Sequence, residues 1–98
     1  MTDEKLYENI KDKVMFNTGF SKNLWEMKEN LMKLVVSDLS ITVGIDKNAV
    51  FVGVDYSTCS LSTYVKKDAT AVLNELLKEY AIISLNKIAY EAKKVFSK

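Results

Sequence analysis

At 98 residues, 48% hydrophobic and 28% charged, with a formal net charge of +1, the chain has the size and apolar content of one domain, residues 1–98, with its own core. It is too apolar for a disordered segment, and no apolar run approaches the ~18 residues that a membrane-crossing helix needs. Histidine is absent, all fourteen basic residues are lysines and Cys59 is the single cysteine, which removes the commonest general base and zinc ligand, the guanidinium fork and any internal disulfide.

The N-terminal stretch Met1 to Lys11 is polar and charged, unlike a secretory signal. Together with the lone cysteine it suggests a soluble, intracellular, cytoplasmic protein. Thr2 or Asp3 is placed to cap a first helix, with Glu4 in its electropositive first turn. Leu6, Tyr7, Ile10 and Val14 share one face of that helix, and Asn17-Thr18-Gly19 reads as its stop, with Gly19 in the left-handed position. Ser21 then restarts a helical pattern. Leu24, Met27, Leu31, Leu34 and Val35 form its stripe, widened by Trp25 and Met32, so a second helix is expected here.

At Ser37-Asp38 the period changes from helical to alternating. Leu39, Ile41, Val43 and Ile45 point one way, and Ser40, Thr42 and Gly44 the other. After the turn segment Asp46-Lys47-Asn48-Ala49, Val50, Val52, Val54 and Tyr56 continue the alternation. A loop at Lys47-Asn48 sets Ile45 opposite Val50, Val43 opposite Val52 and Ile41 opposite Val54, which gathers the apolar residues on one face. The other face carries Thr42, Gly44, Phe51 and Gly53, and Phe51 is expected to lie over Gly44. Leu61, Thr63 and Val65 alternate with Ser60, Ser62 and Tyr64 in a third, more polar strand. It ends at Lys66-Lys67, as a protected sheet edge does.

From Asp68, a candidate N-cap, to Lys98 there is neither Gly nor Pro. A continuous helix here is roughly 40 Å long at about 1.5 Å per residue. A compact domain of this size has a radius of gyration of about 13 Å, so such a helix outreaches its own core. Ala69, Val72, Leu73, Leu76, Leu77 and Tyr80 make a first stripe, with Asn74, Glu75, Lys78 and Glu79 opposite. Beyond Tyr80 the apolar set is rotated by roughly 130° at 100° per residue. Within it Ala81, Leu85, Ile88, Ala92 and Val95 are spaced 4, 3, 4 and 3, the seam of a helix packed on another helix. The first half is therefore expected on the sheet and the second half on a second copy of the chain.

The fold expected from this order is α+β, two-layered, α-α-β-β-β-α, with a three-stranded antiparallel meander covered by helices and a long C-terminal helix. Chemistry finds little purchase. Cys59 lies among Tyr56, Ser57, Thr58 and Ser60, but without a histidine to make its thiolate it reads as a packing residue. Asp46 and Asn48 lack the spacing that completes a calcium loop, and Gly19, Gly44 and Gly53 are too isolated for a phosphate loop. No catalytic, metal or cofactor site is expected. The function expected is a small non-enzymatic interaction module of adaptor or inhibitor type, of the kind phage and viral accessory proteins provide, homodimeric through Ala81, Leu85, Ile88, Ala92 and Val95. It is expected to bind another protein through the outer hairpin face at Thr42, Phe51 and Asp55. The alternative is a weak, sequence-independent nucleic-acid binder using Lys87, Lys93 and Lys94 near the end of the helix.

Overall fold

The computed structural model describes residues 2–57 and 59–96, with the side chains of Tyr90 and of residues 94–96 left aside. The order of elements is α1 (Asp3–Thr18), a short 3-10 turn (Lys22–Leu24), β1 (Trp25–Lys28), β2 (Leu31–Val36), β3 (Leu39–Ile45), β4 (Ala49–Tyr56), β5 (Cys59–Lys66) and α2 (Ala69–Phe96). The strands form one five-stranded antiparallel meander in the order β1-β2-β3-β4-β5. The fold is thus α+β, with two helices and a long C-terminal helix, and its sheet has two more strands than the sequence suggested.

Local signals place the first helix. The Thr2 hydroxyl accepts from the Lys5 amide at 3.2 Å, and Gly19 closes the helix at φ 80° by donating its amide to Met15 O. Leu6, Ile10 and Val14 are buried as one stripe. Tyr7 anchors the helix to the sheet, its hydroxyl donating to Asn30 O at 3.0 Å and accepting from the Ile45 amide at 3.2 Å.

The expected second helix is instead the turn and the hairpin β1–β2. Ser21 caps only the 3-10 turn, accepting from the Asn23 amide. Burial over the next residues alternates: Met32 and Leu34 are inside, while Leu31, Lys33 and Val35 face out. The physical reason is the open edge of β3. Pairing Met32 with Val43 and Leu34 with Ile41 satisfies backbone groups along that strand and extends the inner row of side chains. Glu29, at φ 58°, supplies the left-handed residue of the tight β1–β2 turn.

The β3–β4 hairpin has the register read from sequence: Ile45 opposite Val50, Val43 opposite Val52, Ile41 opposite Val54. Asp46 N donates to Ala49 O at 2.9 Å to close it. The inner face, with Met32, Val43 and Val52 in one fully buried row, meets Ile10 from α1 and Val72 from α2. Both helices begin at the same end of the sheet, where Lys67 pairs with Asp3 at 2.9 Å. The polar strand β5 forms one edge and the short β1 the other, each carrying lysine on its outer face, a pattern that discourages edge-to-edge pairing.

Asp68 caps α2, its carboxylate accepting from the Ala71 amide at 3.0 Å. The helix runs unbroken through Ser84 for 28 residues, about 42 Å, and the molecule is drawn out to 53 × 25 × 23 Å. Its buried stripe is Ala69, Val72, Leu76, Glu79 and Ile83, stepping by 3, 4, 3 and 4. Two expectations are corrected here. Glu79 lies inside, not opposite the stripe, because position 79 falls between Leu76 and Ile83 on the face that the sheet holds. Leu77 and Tyr80, expected inside, are 37% and 39% exposed.

Candidate interaction surfaces

Ile83 is the last buried residue of the helix among those described, and beyond it Asn86 and Lys87 still touch Cys59 and Tyr56 at the end of the sheet. Leu85 and Ile88 are 66% and 64% exposed, Ala81 is exposed and Ala92 half-buried; the Val95 side chain lies outside the described residues. At 100° per residue the direction of Ala81, Leu85, Ile88 and Ala92 is roughly 160° from the buried stripe. The seam therefore runs along the solvent side of α2, back to back with the face on the sheet, and Leu77, 37% exposed, flanks it toward the N-terminus of the helix.

Where α2 passes the ends of β3 and β4, a groove of about 360 Å³ is lined by Leu39, Tyr56, Tyr80, Ile83, Lys87 and Ile88, among others. A second groove, of about 380 Å³, lies on the β5 side of the helix and reaches Cys59 and Asn86. Lys87 lines both grooves, its ammonium 4.9 Å from the centre of the Tyr56 ring. The Tyr56 hydroxyl beside it, and then the Glu91 and Asp38 carboxylates, hold the Lys87 pKa above its ordinary value. Lys87 is thus engaged with Tyr56. Lys93 is exposed on α2, and the side chain of Lys94 lies outside the described residues. Cys59 is half-buried against the core, and Asn86 Nδ2 donates to its Sγ at 3.4 Å, which fits a packing residue.

Beneath the helix, Glu79 is 2% exposed, and neither of its carboxylate oxygens has a hydrogen-bond partner among the described residues. Burial first, and then the Glu75 carboxylate one turn back, push its pKa up to about 8; the Val54 amide and Lys78 pull weakly the other way. Sequence pattern placed this residue in water. The one signal pointing the other way was its position seven residues after Val72 and four before Ile83.

Neither helix packs on the outer face of the sheet. One cross-strand row there runs Lys28, Leu31, Gly44, Phe51, Tyr64. Phe51 stands opposite Gly44 as expected, but its ring leans the other way along β4. A Cβ built at Gly53 would sit 3.3 Å from Phe51 Cε1 and 3.4 Å from Cζ, so the ring lies over the bare backbone of Gly53. Gly44 is covered by the Leu31 side chain from β2, and this contact displaces Phe51 from the place sequence reasoning assigned it. Tyr64, 67% exposed, meets the Phe51 ring edge-on at 5.5 Å and 66°. Thr42 is half-buried in the next row, between Lys33 and Gly53. Asp55 is exposed and accepts a hydrogen bond from Ser60 on β5. The three residues assigned to partner binding therefore share one face, and Leu31 and Tyr64 belong with them. Leu31 was missed because its face depends on a strand pairing that local pattern did not reveal, whereas Tyr64 was already on the polar side of the third strand and was not joined to Phe51.

The arrangement is an open-faced, two-layer α+β domain with two apolar surfaces left without cover. No protein-family model, no curated protein and no solved structure matches the chain. Among the described residues no helix is long and apolar enough to cross a membrane.

Proposed function

We propose that the chain is a small, non-enzymatic protein-interaction module of the cell interior that acts as a homodimer through α2 and holds another protein on the outer face of its sheet. The observation that carries this is the seam: Leu85 and Ile88 stand about two-thirds exposed on a helix that runs past its own sheet. Covering such side chains contributes about 1.5–3 kcal/mol each, and soluble monomers rarely leave a contiguous apolar strip bare. The spacing of 4, 3, 4 and 3 suits a second helix better than a flat surface or a small ligand.

The outer face supports the second half of the proposal. Phe51 and Tyr64 offer paired rings, Gly53 lets the Phe51 ring lie low, and Thr42 with Ser62 adds hydroxyls around them. Aromatic residues ringed by polar ones are the usual composition of a protein-binding hot spot. Leu85→Glu and Ile88→Glu are expected to turn a dimer into a monomer in light scattering, with the circular dichroism of the fold retained. A dimer that survives both substitutions would place the interface elsewhere.

A further inference from the structure

The seam has an internal symmetry that says how the two copies meet. Read from Ala81 to Ala92, its residues are Ala, Leu, Ile, Ala, with Leu85 and Ile88 equally spaced about the Asn86–Lys87 peptide bond. Leucine and isoleucine have equal volume, so the strip presents nearly the same profile from either end. In heptad terms Leu85 and Ala92 take one seam position and Ala81, Ile88 and Val95 the other, and antiparallel helices bring one position against the other. The geometry points to an antiparallel pairing of α2 with α2 of a second copy, about a two-fold axis at the Asn86–Lys87 bond. This deepens the homodimer reading above and rests on it.

In this register Leu85 meets the partner's Ile88 and Ala81 meets the partner's Ala92, each contact made twice, as an isologous interface requires. Ile82, 38% exposed, lies on the flank beside the partner's Ala89 and widens the apolar strip. On the other flank Ser84 stands near the partner's Glu91, so no like charges oppose one another.

Charge separates this register from the parallel one. One heptad before Leu85, the seam position is held by Lys78, whose side chain is 68% exposed and reaches Glu75 only at 4.0 Å. Parallel helices would set Lys78 against the partner's Lys78 across the seam, which is unfavourable. Antiparallel helices keep the two lysines apart, each level with the partner's Val95 in this register.

The consequence is a bivalent particle. Because the seam lies on the side of α2 away from the sheet, stacking two such helices leaves the sheets as the outer layers. Their uncovered faces, each with Phe51 and Tyr64, then point in opposite directions. Such a dimer bridges two partner molecules and does not close both faces on one.

The test uses Cys59→Ser as background, with Ala81→Cys and Ala92→Cys introduced singly. Each variant is oxidised alone, and again after the two are unfolded and refolded together; circular dichroism checks the fold, and light scattering the mass. The pairing predicts a covalent dimer in the mixture and none in either variant alone, since a disulfide needs Cα atoms within about 4.4–6.8 Å. Self-linking of either single variant would overturn the antiparallel register while the homodimer reading stands. A dimer in solution that links in no combination would overturn the register as well. A monomer at every concentration would overturn the homodimer reading itself.

Discussion

Glu79 is the residue whose chemistry departs furthest from its surroundings. Below its ordinary value of 4.5 the carboxyl is protonated in folded and unfolded chains alike. From there to about 8 the unfolded chain loses the proton and the folded one keeps it. Stability therefore falls as pH rises through this window, by about 1.4 kcal/mol per unit at most, and levels off above it. Glu8, whose pKa is lowered chiefly by its hydrogen bond to Lys22, acts in the opposite sense and only below the ordinary carboxylate range. Glu79→Gln should flatten the decline: urea midpoints of wild type and variant should diverge from pH 4.5 upward, with the variant the more stable. Parallel profiles would show that Glu79 is ionised and solvated in the folded protein.

Trp25 gives a second test at the same scale, since its indole Nε1 is buried without a partner among the described residues. Trp25→Phe removes an unsatisfied donor and little bulk, so it should stay within about 1 kcal/mol of wild type. Trp25→Ala, which leaves a cavity, should cost about 3–5 kcal/mol. Equal losses in chemical denaturation would mean that the indole N–H has a partner after all. Both buried groups escaped sequence reading for one reason. The caps at Thr2, Gly19 and Asp68 are local and were legible, whereas burial of an odd polar atom depends on which elements come together.

At the scale of elements, strong alternation was read correctly and weak alternation was not. The β3–β4 register followed from three pairs of apolar residues that had to share a face. From Leu24 to Val36, Leu24, Met27, Leu31, Leu34 and Val35 fit a helical stripe, yet all but Leu34 are 39–55% exposed. What decided between helix and hairpin was the free edge of β3, a partner that no window of local sequence contains. The same omission misplaced Phe51, because Leu31 from β2 takes the space over Gly44. Phe51→Ala should leave the fold cooperative, cost about 0.5–1.5 kcal/mol for the lost ring pair with Tyr64, and weaken capture of the partner protein from host extract. Unchanged capture by the folded variant would dismiss the outer face as a binding surface.

At the scale of the whole molecule, length and phase of α2 carry the functional argument, and both were largely visible in the sequence. A stretch without glycine or proline set the length, and a rotation of the apolar stripe suggested two different surroundings. The structure sharpens this: the helix is unbroken, its buried stripe runs as far as Ile83 with Asn86 and Lys87 still touching the sheet, and the exposed strip lies on its opposite side. Light scattering on the wild-type protein across the micromolar range decides whether α2 joins two copies of the chain. The account predicts twice the 11.1 kDa chain mass, falling to a single chain mass in the folded Leu85→Glu variant. A wild type that scatters as a single chain throughout would contradict it.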